Sequence, residues 1–376
     1  MAKPDLGTFG RNELAIVGTP CGNIRQLAFQ LIQSLAGTWQ VAYVDADHKG
    51  ADAEREVGSP ADTALHQGAA LEFTDKITFQ RFDYNREFNS SQSRFLYNDQ
   101  DLVLINGNHF PGKSQIVVVD PAKPLDRKLD RLTDVRLILL RDATTSLPNY
   151  LLQHLPNLEQ IPVMVLEEVS RVEEFVLNFL NDRVPVLHGL VLSGGKSTRM
   201  QEDKGSLEYH GKSQREHLYG LLSSHCQAVS VSCNQEQATQ LVGRLPVIED
   251  RFLGLGPLGG ILSAFQSAPD MAWLTVACDL PYLSAQTLHH LVQHRNPSKM
   301  ATAFLDPQGE FPEPLITIWE PRSYPVLLQF LSQGYSCPRK ALINSDVELL
   351  QAPDPKELRN VNYPEEHQEA VRELST

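Results

Sequence analysis

The sequence predicts two α/β units in tandem, each a mostly parallel, doubly wound sheet with helices on its faces. Short apolar runs alternate with amphipathic runs along the chain, the pattern of buried parallel strands separated by crossover helices. With 376 residues there is enough chain for two separate cores. A polar join, Asn181-Asp182-Arg183-Val184-Pro185, lies between a helical pattern and a fresh apolar strand. It places the boundary so that the units span 1–182 and 183–376.

Bulk properties narrow the function classes. A net charge of −13 opposes any broad nucleic-acid or membrane-surface partner, both of which require a positive field. No apolar run approaches the roughly 20 residues needed to cross a bilayer, and the first residues lack a signal-peptide core. A cytoplasmic location is expected. The five cysteines are scattered, with no C-x-x-C pair, and are expected to be free thiols in a reducing compartment.

In the first unit, residues 14–17 form an apolar strand, Gly18-Thr19-Pro20-Cys21-Gly22-Asn23-Ile24-Arg25 follows, and the amphipathic run 26–35 predicts a helix. Strand, glycine turn and helix is the layout of a phosphate loop. Its chemistry is missing: Asn23-Ile24-Arg25 stand where a G-x-x-x-x-G-K-[ST] loop carries Gly-Lys-Thr. Further strands are expected at 40–44, 71–73, 101–107, 116–119, 135–140 and 163–166, with a helix over 167–182. Asp45, Asp47, His48 and Lys49 follow the second strand, at the edge where open α/β sheets place ligands; a solvated strand end is the plainer reading. The Asp62-Thr63 to Gly68-Ala69 segment and the run Asp101-Leu102-Val103-Leu104-Ile105-Asn106-Gly107 resemble the MobB-type P-loop adapter that accompanies molybdenum cofactor guanylyltransferases. That family has Glu where Asn106 stands. The resemblance implies a degenerate P-loop-like binding or docking module without NTP hydrolysis, one that presents the pterin cofactor or a client enzyme to the second unit.

The second unit opens on a buried strand, 186–192, which empties into Ser193-Gly194-Gly195-Lys196-Ser197-Thr198-Arg199-Met200-Gln201-Glu202-Asp203-Lys204. Glycines let backbone N–H groups face an anion, while Lys196, Arg199 and Lys204 offset the charge of a triphosphate. Downstream, Gly256-Pro257-Leu258-Gly259-Gly260-Ile261 turns into a helix, and the glycines there would let a ring or phosphate approach its first turn. An apolar strand, 272–277, closes on Cys278-Asp279-Leu280-Pro281, where the carboxylate is a candidate Mg²⁺ ligand or simply the start of a turn. Asn360-Val361-Asn362-Tyr363-Pro364-Glu365-Glu366 precedes a last helix; Asn362 suits either a metal site or a helix cap.

These motifs, in this order, resemble the molybdenum cofactor guanylyltransferases and their relatives that transfer CMP or sugar phosphates. The resemblance implies a Rossmann-like, GT-A-type nucleotidyltransferase unit. It also implies roles: Lys204, Arg199 and Lys196 catalytic; Leu192, Ser193, Gly194, Gly195, Asp250, Gly256, Pro257 and Gly259 in nucleotide binding; Asp279 and Asn362 on Mg²⁺. Gln201, Ser193, Thr317 and Tyr363 depart from the family's Gly, Ala, Ala and Thr. The implied reaction is transfer of GMP from GTP to the terminal phosphate of Mo-molybdopterin, with molybdoenzyme clients or cofactor-delivery proteins as further partners. CTP, or another phosphate acceptor, is the nearest alternative. A non-catalytic nucleotide or cofactor carrier is the alternative from another class.

Overall fold

The computed structural model describes residues 2–46, 63–65, 67–193 and 203–375. Asp47, His48, Lys49 and Asp62 lie outside these, as do Gly194, Gly195, Lys196 and Arg199 of the second unit's loop. The chain divides into a compact unit Leu6–Arg183 and another made of Met1–Asp5 and Val184–Thr376.

The first unit runs β1 (Glu13–Val17), α1 (Cys21–Leu35), β2 (Val41–Val44), β3 (Leu71–Asp75), β4 (Gln80–Tyr84), α2 (Ser90–Leu96), β5 (Leu102–Asn106), β6 (Ser114–Val119), β7 (Val135–Leu140), α3 (Asn149–His154), β8 (Val163–Val165) and α4 (Val169–Asn181). Its main sheet has six strands in the order β2-β5-β1-β6-β7-β8, every pairing parallel. Successive residues of β1 serve opposite faces: Leu14 and Ile16 pack with Ile24, Leu27 and Leu31 of α1, and Ala15 with Val103 and Ile105. Both faces are therefore apolar, which is why the strands read as continuous runs.

Two expectations are corrected here. The strand at 71–73 does not belong to the doubly wound sheet: β3 pairs antiparallel with β4 in a separate two-stranded hairpin. Its Phe73 is half exposed and packs on Phe82, so the apolar alternation marks a hairpin face rather than a core strand. Helix α1 starts at Cys21, five residues before the apolar stripe begins at 26. Pro20 occupies its N-cap, and the first turn, Cys21-Gly22-Asn23, contributes no stripe from which periodicity could detect it.

The second unit runs β9 (Leu187–Leu192), α5 (Gln214–Ser223), β10 (Ala228–Cys233), α6 (Gln235–Leu241), β11 (Val247–Glu249), α7 (Pro257–Ser267), β12 (Ala272–Ala277), α8 (Ala285–Gln293), β13 (Ala301–Leu305), β14 (Pro312–Trp319), α9 (Ser323–Ser332), α10 (Pro338–Ile343), β15 (Val347–Leu350) and α11 (Pro364–Leu374). Seven strands lie in the order β11-β10-β9-β12-β14-β13-β15, and β14 alone among them runs against its neighbours. Leu187 and Val191 of β9 face the core around α5, whereas Leu190 and Leu192 face the core around α7. Gly189 sits where a Cβ would press on Leu222 and Val229, so its lack of a side chain lets α5 lie close to the sheet. The strands β11, β10, β9 and β12 thus end side by side, and Ser193, Asp250 and Asp279 follow three of those ends.

Candidate active site

Asp279 stands two residues beyond β12, in a turn fastened on three sides. The Val361 N–H donates to the Asp279 carbonyl (2.8 Å), Gln214 Nε2 donates to the Leu280 carbonyl (3.1 Å), and His210 Nε2 lies 2.9 Å from the Pro281 carbonyl. Two separated segments, one holding His210 and Gln214 and the other Val361, therefore hold the backbone that presents this carboxylate. Its Oδ2 is 3.9 Å from Lys204 Nζ, while its buried Oδ1 has no hydrogen-bond partner among the described residues. Burial pushes the Asp279 carboxyl above its ordinary value, and the Lys204 ammonium acts in the opposite sense.

Lys204 Nζ also donates to Asn362 Oδ1 at 2.6 Å, so Lys204, Asp279 and Asn362 come together from three places in the chain. Asn362 does not cap the last helix: the N-cap of α11 is Tyr363. The Asn362 N–H is held by Glu366 Oε2 at 2.7 Å, which leaves its side chain to Lys204.

Arg215 was not legible as a site residue. It is buried on α5 and pairs with Asp203, the residue before Lys204. Asp203 Oδ1 in addition accepts from the Gly205 N–H at 3.0 Å. Burial raises the Asp203 carboxyl, but the Arg215 guanidinium, with hydrogen bonds from Gln237 and Gly205, outweighs it and the net direction is downward. A Cβ on Gly205 would collide with both Ser193 and Arg215, so this is where the far end of the glycine loop is clamped to the sheet.

Leu192 ends β9 and Ser193 follows it, with the Leu192 carbonyl taken by the Cys278 N–H (3.2 Å) and the Ser193 N–H given to the Ser232 carbonyl (3.0 Å). Asp250, just past β11, accepts from Ser232 Oγ at 2.6 Å. Gly256 is the N-cap of α7 at φ 56°, a conformation that side chains rarely adopt, and Pro257 fills the first helical position. The two glycines that follow serve the protein's own packing. A Cβ on Gly259 would strike the Phe252 carbonyl, and one on Gly260 would strike Ser232 Oγ and Leu192. The close approach expected of a ligand at this turn is made by the chain itself. Gly259→Ala should consequently destabilise the protein by roughly 1–3 kcal/mol, read as a lower urea midpoint at unchanged slope.

A cavity of about 460 Å³ is lined by Asp306, Glu313, Arg339, Lys356, Arg359 and Asn360, among others. Glu313 is buried and pairs with Arg339 at 3.2 Å. Burial raises its carboxyl, the Leu315 N–H and the Arg339 guanidinium act in the opposite sense, and the negative charge of Asp279 adds to the rise.

Residues 189–348 match the family described as the MobA-like NTP transferase domain. The molybdenum cofactor guanylyltransferase of Pasteurella multocida is 31% identical over 147 residues, which are 39% of this chain and 77% of that protein. The chain belongs to the MobA-like NTP transferases. The family region holds the glycine loop, Asp250, the Gly256 turn and Asp279, and as a family member the chain is a nucleotidyltransferase. The molybdenum cofactor biosynthesis bifunctional protein of Synechocystis sp. is 35% identical over 183 residues, 48% of this MobA-like chain. That alignment spans about half of the relative, 52% of its length. Among solved structures, the molybdopterin-guanine dinucleotide biosynthesis protein A of Archaeoglobus fulgidus is 21% identical, with a TM-score of 0.42 over 50% of this chain and 98% of that one. No helix of the described residues is long and apolar enough to cross a membrane.

Proposed function

We propose that this MobA-like transferase moves the GMP moiety of GTP to the terminal phosphate of Mo-molybdopterin and releases pyrophosphate. The observation that carries the reading is the triangle of Lys204, Asp279 and Asn362, in which a buried carboxylate oxygen has no partner among the described residues. An all-oxygen donor pair, one carboxylate and one amide, fits Mg²⁺, which takes few protein ligands and completes its shell with phosphate oxygens and water. Asp279 and Asn362 would hold it. Bound there, Mg²⁺ supplies positive charge to the triphosphate.

In this reading an acceptor phosphate oxygen attacks the α-phosphorus of GTP, and the bond to the bridging α–β oxygen breaks. Lys204, beside the carboxylate, meets the charge that develops on the phosphates, joined by Lys196 and Arg199 from the glycine loop. Leu192 to Gly195, with the turn at Gly256 and Pro257, hold the nucleotide. A phosphate nucleophile already ionised at neutral pH requires no general base. The first unit acts as a docking module for the cofactor or a client enzyme.

The test is pyrophosphate release from GTP, CTP, ATP and UTP in the presence of Mg²⁺ and molybdenum-loaded molybdopterin. GTP-selective release is expected. Release with CTP alone would reassign the chain to cytidylyl transfer, and binding without any release would favour a carrier.

A further inference from the structure

The first unit holds a side-chain cluster that nucleotidyl transfer does not use. The strands β2, β5 and β1 are neighbours in the sheet, so the segments after their carboxyl ends meet. Cys21, the first residue of α1, has its Sγ 3.3 Å from Nε2 of His109, which follows β5. Asp45, just past β2, has Oδ1 3.9 Å from the same ring nitrogen. The carboxylate is itself held: Asn106 Nδ2 donates to Oδ1 at 2.8 Å and the Tyr43 hydroxyl to Oδ2 at 2.7 Å. Burial raises the Tyr43 phenol, and its bond to Asp45 adds to this, so the hydroxyl stays a donor. Asn108 Nδ2 anchors the other side, 3.0 Å from the Thr19 carbonyl and 3.6 Å from Cys21 Sγ.

The place is the one a phosphate loop would occupy, yet its interior is filled. Thr19 Oγ1 donates to Asp120 Oδ2 at 2.6 Å, and a Cβ on Gly18 would strike the Val118 carbonyl. What remains at the helix start is a thiol in contact with an imidazole.

We propose that Cys21 is a nucleophilic thiol, with His109 as its base, that exchanges with small anionic disulfides. His109 Nε2 takes the thiol proton as Sγ attacks one sulfur of the disulfide. The incoming S–S bond breaks, its second sulfur leaves as a thiolate, and Cys21 is left in a mixed disulfide. Cys21 is oxidised and the leaving thiolate is reduced, so no further oxidant is needed. Asp45 is a positioning residue that meets the charge gained by the imidazole. The preference for anions follows from the 15-residue α1, whose N-terminus has no side-chain cap and no acid in its first turn, with Arg25 one turn on. Burial pushes Cys226 and Cys278 up to about 12 and Cys233 up to about 11. Cys337 is exposed and serves as an in-chain reference thiol.

The experiment treats the full chain with oxidised glutathione and follows mixed-disulfide formation at Cys21 and Cys337 by peptide mass spectrometry. Cys21, though less exposed, should react about ten times faster than Cys337. His109→Gln should slow Cys21 about tenfold and leave Cys337 unchanged, with Asp45→Asn falling between. Cationic cystamine should show a smaller Cys21-to-Cys337 ratio than glutathione disulfide. A wild-type Cys21 no faster than Cys337 would overturn the nucleophile without recourse to any variant. An unchanged ratio in His109→Gln would remove the base, and an equal ratio with cystamine would remove the anion preference.

Discussion

Asp279→Asn should lower GTP-dependent pyrophosphate release by about two to three orders of magnitude while leaving the fold intact. The amide keeps the volume of the side chain and the three bonds that hold its backbone turn, since those bonds end on carbonyl oxygens of 279, 280 and 281. What it removes is the negative charge facing Lys204. Because burial raises the native carboxyl above 3.8, its ionised form costs folding free energy. The sign follows: that cost is absent below 3.8 and is incurred as pH rises through the raised native value. In metal-free buffer the variant should therefore gain stability relative to the native chain as pH rises, while losing turnover. Denaturant midpoints at pH 3.5 and 7 with chelator, beside a pyrophosphate assay at pH 7, measure both. A variant that keeps its turnover would remove Asp279 from the centre.

Arg215→Met should cost about 3 kcal/mol, because truncating one member of a buried ion pair strands the other. The estimate sits at the low end because the Asp203 side chain keeps 29% exposure while that of Arg215 keeps 6%. For a unit of this size the loss corresponds to a fall of roughly 6–12 °C in melting temperature. The Asp203 carboxyl is shifted downward, so its contribution is present above 3.8 and disappears as pH falls through the native value. Native and variant melting temperatures should accordingly converge in acid. Turnover should fall too, since Asp203 adjoins Lys204. Arg215→Lys keeps charge but not the planar fork, and should recover only part of either loss.

The central strands were legible where they are buried on both faces and so appear as apolar runs, 102–106, 116–119 and 272–277 among them. The glycine turn at 256 was legible because a Gly-Pro pair admits few backbone solutions. Other features depend on partners far away in the chain. Leu71 and Phe73 alternate as a core strand would, and only the pairing with Phe82 and Tyr84 makes them a hairpin. Gly259 and Gly260 suggest an open approach until Phe252 and Ser232 are placed against them. Arg215 and Gln214 look like an ordinary helix start, and their roles appear only when Asp203 and Leu280 arrive from elsewhere in the chain. Cys21 beside His109 is likewise invisible at a separation of 88 residues.

The link between Lys204 and Asn362 spans 158 residues. During synthesis the sheet strands β9 to β12 can emerge and pair well before residue 362 has been made, yet the ammonium at 204 then has no amide to bind and the carbonyl at 279 lacks its donor from 361. A nascent chain can thus pair these strands before the proposed centre is complete. On the proposed reading, competence comes as one late docking event of that segment, which also brings the buried Val361 and Ala370 to their core cluster.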